Sequence, residues 1–153
     1  MAEKFGSKSD EPSPEDRWVL ARGFEGDKPL LFRILDQRPA EVDPEQYRHL
    51  CSISWPYEPD NEEGMPSADE FDRMSFFEEL LTPALESPGA AYMVIAATGN
   101  GLRQWHWYAR DTEELMTLVN EVLEECEPFP VEFSVDEDPN WDAYNQLRGN
   151  LGT

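Results

Sequence analysis

Four groups of residues in this sequence have types and spacings that could carry chemistry, and the first is a histidine next to a cysteine. His49 and Cys51 are two residues apart, so on a strand both side chains lie on one face, as two zinc ligands would. The sequence contains two His and two Cys in all. The remaining His and Cys are not spaced to complete four ligands, so a buried structural pair is the preferred interpretation and no metal is expected.

The second group is an acidic stretch that alternates like the start of a calcium-binding loop. Its oxygen-bearing side chains are Asp136, Asp138, Asn140 and Asp142. Trp141 occupies the position where an EF-hand loop has glycine, and Leu147 occupies the position of the bidentate acid. We therefore expect no calcium site here.

The third group is an aromatic pair on a predicted strand. His106 and Tyr108 share one strand face, and single-stranded RNA binders stack bases on rings placed in this way. The chain has 33 acidic and 12 basic residues, a net charge of −21. Phosphate backbones are bound largely by Lys and Arg, and this chain lacks the expected basic patch. An ordinary mixed sheet face is the better interpretation, and nucleic acid is excluded as a partner.

The fourth group is Gly99-Asn100-Gly101. A phosphate-binding loop would end in Gly-Lys-Ser/Thr and open a helix, whereas here the chain continues as a strand. Glycine and asparagine tolerate positive φ, which indicates a hairpin turn. No Ser, Cys or Lys has an evident base nearby in the sequence. We therefore predict no catalytic residue and no cofactor, and enzymatic activity is not favoured.

The elements that position these residues are clearest around this turn. Tyr92–Thr98 is an apolar run typical of a buried strand, and Arg103–Arg110 alternates as a second strand. Asp111 followed by Glu114 predicts a capped helix start. That helix has an apolar stripe at helical spacing, formed by Leu115, Leu118, Val119, Val122, Leu123 and Cys126.

The flanking chain supplies the remaining elements. Ser67 with Glu70 predicts a second capped helix that ends or kinks at Thr82-Pro83. The other predicted elements are a hairpin of strands at 17–24 and 29–35, a strand at 47–55, a strand at 130–135 and a short helix at 141–147.

From residue 47 onward the predicted order is strand, helix, strand, strand, helix, strand. This is the split β-α-β, ferredoxin-like pattern of the α+β class, with two helices on one face of an antiparallel sheet. The N-terminal hairpin is expected to extend the sheet or to cover part of it. The face opposite the helices, which includes His106 and Tyr108, needs a partner, a cover or polar side chains.

Composition bounds the domain organisation. We predict a disordered polar tail at 1–16, one α+β domain at 17–148 and a C-terminal tail at 149–153. No signal peptide and no apolar run of about 20 residues for a membrane span is evident. Cys51 and Cys126 fit no disulfide framework. A cytoplasmic protein with no membrane partner is therefore expected.

Several stretches together resemble the bacterial family known as domain of unknown function 695. They are Arg17-Trp18-Val19, Gly64-Met65-Pro66, Gly101 to Tyr108, and Asp138 to Tyr144. The resemblance covers residues 17 to about 145, with one departure at Phe77-Glu78-Glu79, where a Glu-Asp pair is expected. It implies a ferredoxin-like domain, similar in fold to the protein regulator B of ribonuclease E activity. It implies no known active site and supplies no catalytic residue.

The charge pattern leads to the functional hypothesis. Between Asp111 and Leu147 there are twelve carboxylates and no Lys or Arg. Such a surface attracts basic proteins and speeds their encounter. We therefore expect a non-enzymatic module that binds a protein with a basic surface, such as a nuclease or toxin, as an inhibitor, immunity or regulatory protein. The predicted contact residues are Glu62, Glu63, Arg103, His106, Tyr108, Asp136, Asp138, Trp141 and Asp142.

Two other interpretations remain open from the sequence. One is a small-ligand-binding protein or enzyme that uses the open sheet face around His106 and Tyr108, together with the Gly64–Pro66 loop. The other is a regulatory domain whose acidity serves only solubility. The oligomeric state is not predicted.

Overall fold

The computed structural model describes residues 17–151, so the predicted tail at 1–16 lies outside the described residues. The elements, in chain order, are β1 (Trp18–Glu25), β2 (Lys28–Leu35), β3 (His49–Pro56), α1 (Ala68–Glu86), β4 (Ala91–Gly99), β5 (Leu102–Ala109), α2 (Thr112–Leu123), β6 (Glu132–Glu137) and α3 (Asp142–Leu151). Every predicted strand is present, with its ends within two residues of the prediction. Helix α3 includes residues 149–151, which were predicted to begin the C-terminal tail.

All six strands form one sheet in the order β1-β2-β4-β5-β3-β6. Each neighbouring pair is antiparallel. The α+β class and the antiparallel sheet are thus confirmed. The N-terminal hairpin extends the sheet beside β4, which is one of the two outcomes expected for it.

Helices α1 and α2 cover one face of this sheet. Their buried residues pack in one cluster with β3, β4 and β5, and that cluster includes Met74, Phe77, Leu81, Leu85, Leu115, Val119, Cys51, Ile53, Trp105 and Trp107. Its centre is aromatic: the ring centroids of Phe77 and Trp105 are 5.1 Å apart, and those of Trp55 and Phe77 are 5.8 Å apart. Burial of each large side chain stabilises the fold by about 1.5–3 kcal/mol.

The opposite face is covered over one half. Helix α3 and the segment 36–48 pack on it in a second cluster that includes Ile34, Leu35, Val42, Tyr47, Val94, Ile95, Tyr108, Trp141 and Tyr144. The prediction of an open face around Tyr108 is therefore wrong. The other half of this face carries the half-buried polar side chains of Ser52, Ser54, Gln104 and His106.

Both predicted helix caps are confirmed. Ser67 accepts a hydrogen bond from the Glu70 amide at 3.1 Å, and Asp111 accepts one from the Glu114 amide at 3.0 Å. The Glu70 carboxylate does not return to the cap. It accepts a hydrogen bond from the Trp55 indole at 2.7 Å, so this residue joins α1 to the sheet.

The predicted break at Thr82-Pro83 is corrected in one respect. Helix α1 does not end there but continues to Glu86, with Pro83 inside its last turn. A proline in a helix removes one hydrogen bond and costs about 3 kcal/mol. Leu85, which lies beyond the proline, is fully buried, and its burial offsets much of that cost.

The turn between β4 and β5 forms as predicted. Asn100 has φ 52° and Gly101 has φ 82°. These left-handed conformations are the reason that Asn and Gly occupy the turn. Within residues 17–151, no helix is long and apolar enough to cross a bilayer.

Candidate functional site

Three of the predicted contact residues are buried and cannot meet a partner. The exposed fractions are 6% for Arg103, 0% for Tyr108 and 1% for Trp141. Their predicted exposure is therefore wrong. Tyr108 and Trp141 are buried because α3 packs on the sheet face that was expected to be open.

Tyr108, Trp141 and Asp138 form a structural cluster that holds α3. The rings of Tyr108 and Trp141 stack with centroids 4.1 Å apart, and the Trp141 indole donates to the Tyr47 carbonyl at 2.9 Å. Asp138 accepts from the Tyr108 hydroxyl at 2.7 Å and from the Asp142 and Ala143 amides at 2.9 and 3.0 Å. Burial opposes ionisation of Asp138, but these donors prevail and lower the pKa of its carboxyl.

His106 lies opposite Ser52 on neighbouring strands, and its Nδ1 is 2.9 Å from the Ser52 hydroxyl. Burial lowers the pKa of this imidazole and so favours its neutral form. A nucleophile–base pair needs a third group that orients the base. Among the side chains of residues 17–151, no acid hydrogen-bonds to His106. We interpret the contact as a cross-strand structural pair.

The predicted acidic residues do not form one surface. Glu62 and Glu63 follow the carboxyl end of β3, whereas Asp136 pairs with Leu50 near its start. Six residues of strand separate these ends, which corresponds to about 20 Å. Asp136 and Asp142 are exposed, and Asp138 is engaged in capping α3.

Acidic residues and aromatic rings instead meet in a groove between α1 and the segment that follows α2. This acidic groove has a volume of about 500 Å³ and is lined by Asp72, Arg73, Phe76, Glu125, Cys126, Glu127 and Phe129. The rings of Phe76 and Phe129 are 6.5 Å apart, and Phe76 is 52% exposed. Arg73, the basic residue in the groove lining, lies over the ring of Phe129, so its guanidinium is held against an aromatic side chain.

The carboxylates beside this groove lie where a helix disfavours them. Glu121 is in the last turn of α2, Glu124 is its C-cap, and the last turn contains no base. The C-terminus of a helix carries partial negative charge and favours cations. Among the ion pairs of the described residues, none includes Glu121, Glu124, Glu125 or Glu127.

A larger cavity lies on the same sheet face, between α1 and the N-terminal hairpin. This arginine cavity has a volume of about 580 Å³. Its walls are mainly apolar, and its polar lining comes from Arg33, Arg103, Thr98 and Ser67. Neither Arg33 nor Phe76 was identified as a site residue from the sequence.

Glu78 organises the floor of the arginine cavity. Its carboxylate accepts from Arg33 at 2.5 Å, from Arg103 at 3.0 Å and from the Trp105 indole at 2.9 Å. Arg103 also donates to the Thr98 hydroxyl at 2.9 Å. Burial lowers the pKa of the Arg103 guanidinium, and its ion pair with Glu78 opposes that shift.

The Gly64-Met65-Pro66 loop forms one wall of this cavity, because Met65 and Pro66 line it. Gly64 anchors the loop: its carbonyl accepts from the Tyr57 hydroxyl at 2.6 Å and from the Gly101 amide at 3.2 Å. Gly64 has φ 89°, and a Cβ there would lie 2.9 Å from the Asn100 Cα. Only glycine fits this approach of loop and turn.

We expect Gly64→Ala to destabilise the protein by about 1–3 kcal/mol, because a side chain at this φ is strained and meets backbone. The measurement is urea unfolding followed by tryptophan fluorescence. Gly26→Ala is the matched control, since Gly26 has φ 62° with nothing within 4 Å of an added Cβ. An equal loss in both variants would show that φ alone, and not the contact with Asn100, requires glycine at position 64.

The remaining candidate chemistry is limited. Burial raises the pKa of the Cys51 thiol to about 12, so this cysteine is not a nucleophile at pH 7. In the part of the chain from Arg17 to Leu151, no group of three or more His, Cys, Asp or Glu residues is placed to hold a metal ion.

Comparison with known proteins gives a family but no function. The family of unknown function DUF695 matches residues 16–147. No curated protein and no solved structure matches the chain. The expected similarity in fold to the protein regulator B of ribonuclease E activity therefore stays a prediction.

Proposed function

The chain belongs to this family of unknown function, and because the family assigns no activity, we propose from geometry that it is a non-enzymatic module that binds a protein with a basic surface. The binding surface is the acidic groove with the adjoining end of α2. This location replaces the predicted one, which combined the Glu62–Glu63 loop with residues 136–142.

The observation that carries the proposal is the group of carboxylates at the C-terminal end of α2. Glu121, Glu124 and Glu125 repel one another and are also opposed by the helix dipole. A cationic partner would relieve both effects at once. If acidic residues served only solubility, we would not expect them at the C-terminal end of a helix, because carboxylates there destabilise the fold.

The aromatic rings of the groove support a protein as the partner. Phe76 is more than half exposed and lies beside Phe129, and aromatic residues dominate the binding energy of protein interfaces. Carboxylates around such an anchor would steer a basic partner and then hold it. A basic nuclease or toxin, bound by an inhibitor, immunity or regulatory protein, is one partner of this chemistry.

The test compares how two charge-reversal variants bind the partner. The first variant replaces Glu124, Glu125 and Glu127 with Lys. The matched control replaces Glu58, Glu62 and Glu63, which are also exposed, with Lys. Both change the net charge equally. A protein captured by the wild-type chain at low salt from its host is purified and titrated calorimetrically. We expect the groove reversal to weaken binding at least tenfold and the control about twofold or less.

The same groove reversal should raise stability while it removes binding. Each lysine nearest the end of α2 is expected to add about 0.3–1 kcal/mol at low ionic strength, because it replaces a charge that the helix dipole opposes. Thermal unfolding measures this gain. The proposal would be contradicted if both reversals weakened partner binding equally, or if the groove reversal lowered stability.

We further infer that β3 to β6 with α1 and α2 form a ferredoxin-like unit to which the N-terminal hairpin is added. The strand order β4-β5-β3-β6 and the shared cluster of α1 and α2 support this.

We also propose that the protein acts in the cytoplasm, which is supported by the free thiols of Cys51 and Cys126.

A further inference from the structure

The arginine cavity has a chemistry opposite to that of the acidic groove. It lies in a chain of net charge −21, yet two guanidinium groups on its floor share one carboxylate, that of Glu78. The floor therefore carries one surplus positive charge. Positive charge beside apolar walls attracts anions and disfavours cations.

Hydrogen-bond donors on this floor are also in surplus. Arg103 is 6% exposed and lines the cavity, and its Nε has no hydrogen-bond partner among residues 17–151. Arg33 donates through Nη2 to Glu78 and to the Met93 sulfur, and within the same described range its buried Nε has no partner. The side chain of Arg33 is 31% exposed, so a ligand can reach it. Arginine presents its donors in a planar fork that matches a carboxylate.

The walls require an apolar ligand body. Leu20, Leu31 and Phe71 line the cavity and are 79%, 42% and 45% exposed, although exposed side chains of this size are costly in water. Met65 and Pro66 add further apolar surface to the lining. A mainly apolar cavity of this volume with a few convergent polar groups is typical of a small-molecule site.

We propose that the arginine cavity binds a long-chain monocarboxylate, with its carboxylate at Arg33 and its chain between Leu31 and Phe71. Glu78 holds Arg33 in place through its ion pair, and Arg103 adds positive charge to the floor. This site is independent of the acidic groove, so either proposal can fail without the other.

The first experiment is calorimetric titration of the full chain with linear carboxylates of about 8, 10 and 12 carbons, below their micellar concentrations. We expect affinity to rise about fourfold with each methylene, as burial of a CH₂ predicts. Linear alcohols of equal length should bind about tenfold to a hundredfold more weakly, because they lack the charge-assisted hydrogen bonds.

Variants locate the site. Arg33→Gln should reduce carboxylate affinity to that of the alcohol and leave alcohol binding within twofold. Arg22→Gln, an exposed arginine of the same hairpin that does not line the cavity, should change neither. Ala68→Trp, which places an indole at the lining position of Ala68, should abolish binding of both ligands, with circular dichroism as the check on folding.

Four results would overturn the proposal. The first three are no carboxylate binding by the wild-type chain, equal affinity for carboxylate and alcohol, and carboxylate affinity unchanged in Arg33→Gln. Tighter binding of an apolar peptide through its free C-terminal carboxylate would also overturn it, since the occupant would then be a protein terminus.

Discussion

Replacing Glu78 with Ala should destabilise the protein by about 3–5 kcal/mol, the cost of removing one partner from a buried ion pair. This carboxylate is 17% exposed and serves two arginines and the Trp105 indole. Its loss leaves Arg103 buried beside Arg33 with no negative charge between them. Such a loss is a large share of the 5–15 kcal/mol that typical domains possess. Urea unfolding at pH 7, with an unchanged slope, gives the value.

Two further variants make this result specific. Glu79→Ala changes the exposed neighbour on the same helix and should shift stability by less than about 0.5 kcal/mol. Glu78→Gln keeps an acceptor for Trp105 but removes the charge. Its loss of stability should lie between those of Glu79→Ala and Glu78→Ala. A loss below about 1 kcal/mol for Glu78→Ala would show that the two arginines are accommodated without this carboxylate.

Replacing Asp138 with Ala should cost about 2–4 kcal/mol, because it removes the cap of α3 and leaves the buried Tyr108 hydroxyl without its acceptor. Tyr108→Phe removes the hydroxyl and part of the same network. The two changes should therefore be non-additive, and the double variant should lose less than the sum of the single losses. Strict additivity, measured in one denaturant series, would show that the hydrogen bond contributes nothing.

Asp138 also sets a pH dependence. Its pKa is lowered in the folded protein, so the unfolded state binds more protons as the solution becomes acidic. The stabilisation is fully present above the ordinary aspartate pKa of about 4 and is lost as pH falls through the lower folded value. Asp138→Asn should flatten the fall in stability in that window. The comparison uses thermal unfolding of both proteins across the acidic range.

Local rules predicted most of the elements. Ser67 and Asp111 start their helices because each side chain accepts an amide three residues on, a feature that depends on nearby sequence alone. The turn at Asn100 follows from positive φ in the same way. Pro83 is the exception, since burial of Leu85 by distant residues extends the helix past it.

The exposure of the site could not be predicted from alternation. The alternation in β5 correctly placed Tyr108 on one face of the sheet and Trp105 and Trp107 on the other. Alternation with a period of two residues assigns a side chain to a face but does not reveal what covers that face. Tyr108 is covered by α3, a helix of ten residues. This helix begins directly after Trp141, which has φ 59°. A short helix with a weak apolar pattern gives little warning of burial.

The sequence contains two signals of the arginine cavity. Glu78 falls at helical spacing among Met74, Leu81 and Leu85, and a charge on a core-facing stripe indicates a buried partner. Arg33 is the one charged residue within Leu30–Leu35, which points to the same conclusion. Their meeting depends on β2 pairing with β4, which local sequence does not reveal.

The second cluster joins parts of the chain that are synthesised far apart. The Tyr144 hydroxyl donates to the Leu35 carbonyl, and Arg148 pairs with Asp36, across sequence separations of 109 and 112 residues. On the ribosome, all six strands emerge before the helix that shields them. Until that helix emerges, the apolar side chains of Val42, Tyr47 and Val94 remain exposed on the nascent chain, where chaperones and aggregation compete for them.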